Sequence, residues 1–258
     1  MKKCIWCNKS EKETSFKTKA HTIPKGLGGI TICENVCDSC NFYFGNNQNG
    51  SPSIELIIKE TFNLSKFCLL NTGSQTINNK NSPHYSSVYF TVDFQKGKID
   101  IKNKYKLRSG FQENICRLIK RGLYKIFLEE NERINGDSLN PQYDFIREFA
   151  RYDLNDFPIY YFERLHPILM SGEGLIKQPH IPFNIITMNY LLRDYGFFEV
   201  EFFGHVLSIA TYRNWDIAID KYLSESIKIK SGHFKSYKLI KKWNDIDLSL
   251  SLFDVKKR

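Results

Sequence analysis

Hydrophobic and polar positions change their period several times along the chain, and each change predicts an element. Residues 8–20 are polar and lysine-rich and read as a loop. From Ser53 the apolar residues Ile54, Ile57, Ile58 and Phe62 fall at helical spacing, with Ser53 as N-cap. Residues 71–82 are rich in Asn, Thr and Ser; they read as a loop and as the boundary between two parts of the chain. Residues 88–94 and 99–101 flank Gln95-Lys96-Gly97-Lys98 and predict a β-hairpin. Phe111, Ile115, Leu118, Ile119, Gly122, Leu123 and Ile126 share one side of the strongest helical pattern. Arg117, Lys120, Arg121 and Lys125 fall on the opposite side, where they form either a solvated face or a surface for a nucleic-acid backbone.

Beyond Asn135-Gly136-Asp137, residues 141–152 predict a short helix with Phe145, Ile146 and Phe149 inward. Residues 183–192 and 197–212 are rich in aromatic and β-branched types and flank Arg193-Asp194-Tyr195-Gly196, which predicts a second hairpin. Residues 215–226 read as helical, and basic residues outnumber acidic ones from Lys228 onward. Interleaved there are Phe234, Tyr237 and Trp243, as anchors in a core or as platforms for bases. The pattern predicts an α+β protein: a small N-terminal unit, residues 1–65, and a larger unit of mainly antiparallel sheet and helices, residues 66–258.

Composition adds a compartment and a class of partner. The chain has 258 residues, 41% of them apolar, enough for a sizeable core. No apolar run approaches the roughly 18 residues of a membrane span, and Lys2-Lys3-Cys4 opens the chain without an apolar leader. The expectation is a soluble, cytoplasmic protein with no membrane partner. A formal charge of +9 favours a polyanion.

The seven cysteines are four in Cys-x-x-Cys pairs plus Cys33, Cys68 and Cys116, which is metal-like usage and not a disulfide framework. Each pair can place two thiolates on one zinc, and Cys4, Cys7, Cys37 and Cys40 together complete a tetrahedral Zn²⁺ site. Such a site has no open position for water, so the zinc is structural. The 29 residues between Cys7 and Cys37 exceed the usual ribbon spacing and must hold structure of their own. That segment contains His21, followed by Pro24 and by Gly28-Gly29, where a turn or bulge is expected. A strand is expected near residues 29–33, and a helix from Cys37 or Asp38 to Gly45.

Residues 4–45 resemble the HNH endonucleases of the ββα-metal class, in the cysteine-rich branch. The likeness rests on Cys4-Ile5-Trp6-Cys7, on His21-Thr22-Ile23-Pro24 with Leu27-Gly28-Gly29, and on Asn35-Val36-Cys37-Asp38-Ser39-Cys40-Asn41 with Phe44-Gly45. The resemblance implies that His21 is the general base, Asn41 the ligand of a catalytic Mg²⁺ or Mn²⁺, and Asn35 the brace of the loop that carries the base. Imidazole suits proton abstraction near neutral pH, and an amide oxygen suits a hard cation. Many such proteins carry Asp or Glu immediately before the base as a second metal ligand; here that position is Ala20.

The expected activity is metal-dependent hydrolysis of DNA phosphodiesters, with RNA left open and a restriction or anti-phage defence role suggested by the resemblance. Lys19, Lys25, Arg117, Lys120, Arg121 and Lys125 are the candidate backbone contacts, and cutting both strands calls for a homodimer or two sequential nicks. The alternative is a non-catalytic zinc module that binds nucleic acid or protein. A third reading makes residues 66–258 a sensor or specificity unit that gates the nuclease.

Overall fold

A computed structural model describes residues 1–48, 50–71, 85–165, 194–230 and 232–250. The described chain is α+β, with antiparallel sheets throughout. The first hairpin pairs β1 (Ala20–His21) with β2 (Ile32–Cys33). Its turn is a 3-10 segment, Lys25–Leu27, closed by Gly28 at φ 95°. Gly29 packs so tightly that a Cβ there would lie 2.1 Å from the Ile23 carbonyl oxygen, so glycine is required. Helix α1 (Asp38–Gly45) follows and completes the expected ββα unit.

Helix α2 (Ile54–Asn71) starts where expected, with the Ser53 hydroxyl accepting from the Leu56 amide at 3.2 Å, and buries Ile54, Ile57, Ile58 and Phe62. Residue 65 lies inside this helix. Residues 72–82 of the expected boundary loop lie outside the described residues. Strands β3 (Phe90–Asp93) and β4 (Lys98–Ile101) form the expected hairpin, with Asp93 opposite Lys98. After a single turn, α3 (Asn103–Lys106), comes α4 (Phe111–Asn135), 25 residues long. Helix α5 (Asp144–Tyr152) buries Phe145, Ile146 and Phe149 as expected.

The main sheet has the order β6-β7-β5-β8, from β5 (Ile159–Arg164), β6 (Phe197–Phe202), β7 (His205–Ala210) and β8 (Phe234–Leu239). Residues 197–212, expected as one strand of a hairpin, are themselves the hairpin β6–β7, turned at Phe203 and Gly204, both at positive φ. The expected partner segment, 183–192, lies outside the described residues. Side chains alternate across the sheet. Phe198, Val200 and Phe202 face the core of α2 and α4, while Phe197 packs under α6 (Ile219–Ile229), stacked on Tyr222 at 4.2 Å. Trp243 and Phe234 are buried as anchors, and Tyr237 is partly exposed.

One apolar core runs from Cys4 and Phe44 through Phe62 and Ile119 to Leu207 and Leu250. Helix α4 lies at its centre. Its expected basic face is therefore corrected: Lys120, Arg121 and Lys125 are buried, and all four cations are paired. Arg117 donates to Asp153 at 2.7 Å, Lys120 binds Asp156, and Arg121 reaches Asp153 at 3.1 Å and the Ala150 carbonyl. The turn after α5 covers this side of the helix and leaves Arg117 alone of the four partly exposed, its guanidinium engaged by Asp153. No described helix is long and apolar enough to cross a membrane.

Candidate active site

Two features of the N-terminal unit form a site: a sulfur cluster and, beside it, a cleft. The Cys4, Cys7, Cys37 and Cys40 sulfurs all lie within 4.8 Å of one another. A tetrahedral zinc with Zn–S bonds of about 2.3 Å holds its sulfurs about 3.8 Å apart, and Cys7 and Cys37 stand at 3.7 Å. The Cys37 amide donates to the Cys4 sulfur at 3.3 Å, a contact that orients a thiolate ligand. A hydrogen bond from Cys40 holds the Cys4 thiol down at about 5, whereas burial pushes Cys7 up to about 11. Four thiolates this close need a dication to be charged together, so the donor set fits Zn²⁺. Cys33 is buried in β2 outside this cluster, and all seven cysteines are free.

The cleft has a volume of about 580 Å³ and is bounded by Thr18, Lys19, His21 and Lys25 of the hairpin side, by Asn41 and Phe42 of α1, and by Glu55 of α2. Strand alternation turns Ala20 into the core and leaves His21 on the cleft side. Asn41 sits in the first turns of α1, and it and His21 both line the cleft. Its amide orientation follows from its neighbours: Thr18 Oγ1 donates to Asp38 at 2.6 Å and accepts from Asn41 Nδ2 at 3.0 Å. The Asn41 Oδ1 then accepts no hydrogen bond among the described residues. Hydrogen bonds from Ser15 and Thr18 hold the Asp38 carboxyl well below the usual range.

Asn35 is placed differently. It lies outside the cleft lining, its carbonyl accepts from the Ile5 amide at 2.9 Å, and its side chain donates to Glu132 of α4. It thereby ties the first knuckle and the base of the hairpin to the long helix. Lys19 and Lys25 are exposed at the cleft, whereas Lys120, Arg121 and Lys125 are buried and Arg117 is partly exposed, all four paired with carboxylates of the chain.

Sequence reasoning missed the support that α4 gives this site. Lys125 Nζ donates to the His21 carbonyl at 2.8 Å and to Glu129 at 2.8 Å, and lies 3.3 Å from Glu55. Glu129 in turn accepts from the Trp6 indole at 3.1 Å, inside the first knuckle. Glu130 accepts from Thr22, just after β1, and from Thr31, just before β2. Arg151 of α5 lies over the Tyr43 ring at 3.9 Å. No short motif carries these contacts; the one sequence signal is the density of carboxylates at 129, 130 and 132.

Residues 4–51 match the sequence profile of the HNH endonuclease family. The match covers the sulfur cluster, the hairpin and α1, and stops before α2. Comparison with curated proteins and with solved structures returned no match.

Proposed function

We propose that this protein, which carries an HNH endonuclease domain at residues 4–51, is an active metal-dependent endonuclease that hydrolyses phosphodiester bonds in DNA. The observation that carries the reading is His21 facing Asn41 across one open cleft, with the Asn41 oxygen unengaged. His21 takes the proton of the attacking water. Asn41 Oδ1 holds Mg²⁺ or Mn²⁺, which, when bound, polarises the phosphate and stabilises the leaving oxygen. Lys19 and Lys25 hold the flanking phosphates, and Phe42, 64% exposed at the rim, is placed to stack on a base. Asn35 keeps the hairpin seated on α4. The zinc has no part in the chemical step and fixes the geometry of hairpin and helix.

Incubation of the full chain with supercoiled plasmid tests the proposal. Nicking that requires Mg²⁺ or Mn²⁺ is expected. Salt-dependent DNA binding with no cleavage under either metal would instead establish the non-catalytic module. Residues beyond the domain form the scaffold that α4 exemplifies, and in this reading they also aim the nuclease, as an effector of restriction or anti-phage defence would require.

A further inference from the structure

A cation held by Asn41 alone would have one neutral protein oxygen in a cleft that also carries Lys19 and Lys25. Hard divalent ions favour anionic oxygen, and two nearby cations raise the cost of placing one there. The cleft has two carboxylates, Asp38 and Glu55. Asp38 is committed to the loop before the base, accepting from the Thr18 amide at 2.7 Å and the Thr18 hydroxyl at 2.6 Å.

Glu55 is arranged otherwise. It stands in the first turn of α2, outside the matched domain, and is one-quarter exposed. One oxygen lies 3.3 Å from Lys125 Nζ, the same ammonium that binds the His21 carbonyl, so the carboxylate is tethered to the strand that presents the base. The other oxygen lies beside Gly45, 3.7 Å from where a Cβ would stand. Gly45 follows Asn41 by four residues on α1 and shares its face.

We propose that Glu55 supplies the anionic oxygen of the catalytic cation site, completing with Asn41 a ligand pair drawn from two helices. This rests on the endonuclease reading and extends it to a residue beyond the HNH domain. Lys125 holds Glu55 in place through their ion pair, and Mg²⁺, which retains several waters, accommodates two protein oxygens from different elements.

Mn²⁺ binding to the full-length, zinc-loaded protein tests it, read from the free Mn²⁺ resonance in electron paramagnetic spectra. Glu55→Gln is expected to weaken Mn²⁺ binding at least tenfold while His21→Ala leaves it near wild type. Because Glu55→Gln also touches Lys125, a second measurement uses the wild type alone: Mn²⁺ should selectively broaden the Glu55 side-chain carboxyl carbon signal. Mn²⁺ affinity of Glu55→Gln within twofold of wild type, or an unbroadened Glu55 signal, overturns the assignment even if the wild type nicks plasmid, and leaves the nuclease reading intact. A wild type that neither binds Mn²⁺ nor nicks overturns the nuclease reading and the Glu55 assignment together.

Discussion

Lys125 concentrates more of the site than any other single residue. Its ammonium is 2% exposed, joins Glu129 and Glu55, and supports the strand that carries His21 through the His21 carbonyl. Burial pushes the Glu129 carboxyl up to about 7 despite this partner. Removing the cation leaves Glu129 fully buried beside Trp6 with no opposing charge. Lys125→Met should therefore cost about 3–5 kcal/mol in urea unfolding, the usual penalty for breaking a buried pair. Adding Glu129→Gln should recover part of that loss; a single-variant loss below about 1 kcal/mol would show that the pair does not hold the hairpin. His21, Asn41 and the four sulfurs were legible in the sequence because their chemistry depends on residue type at short spacing. Lys125 was misread as a surface cation, because helical periodicity says which residues share a side and not what covers it. Glu55 went unnoticed because it meets the cleft only through tertiary packing.

At the level of elements, the contact between α2 and α4 fixes where the cleft opens. Gly122 of α4 allows it: a Cβ there would stand 2.3 Å from Ile58 and 3.1 Å from Ile54. Gly122→Ala gains helix propensity yet should destabilise by about 1–3 kcal/mol through overpacking. Denaturant unfolding checks the sign, and Ile58→Ala in the same chain should relieve it. A second consequence concerns β7. His205 is buried between Ser65 and Tyr161, and burial lowers its pKa to about 3. Between the unfolded value of about 6.5 and 3 the unfolded chain binds the extra proton, so this residue's contribution to stability is present above about pH 6.5 and is lost as pH falls. The drop in unfolding free energy from pH 7 to pH 5 should be smaller in His205→Gln than in wild type; an equal drop would contradict the buried neutral imidazole. Hairpins and helices with clear periods, such as β3–β4 and α5, were readable from pattern. The β6–β7 turn was not, since Phe203 at positive φ leaves an unbroken run of β-formers on either side of one glycine.

For the whole molecule, the HNH domain and the remainder share one core and one hydrogen-bond network. A fragment of residues 1–65 would end within α2 and lose Lys125, Glu129, Glu130 and Glu132 together. It should bind zinc through its cysteines yet show poorly dispersed amide spectra and no cleavage, whereas a well-dispersed, active fragment would show that α4 is dispensable. Charge was informative only in part: +9 points to a polyanion, but Arg117, Lys120, Arg121 and Lys125 of α4 are paired with carboxylates of the chain itself, and Lys19 and Lys25 stand exposed at the cleft. The central claim, that the cleft is a working nuclease site with His21 as its base, is tested most directly by plasmid nicking rates of wild type and His21→Ala at matched zinc content in Mn²⁺. The account predicts metal-dependent nicking by the wild type and a loss of about a hundredfold or more in the variant, the scale of a general base; nicking at the same rate in both proteins would contradict it.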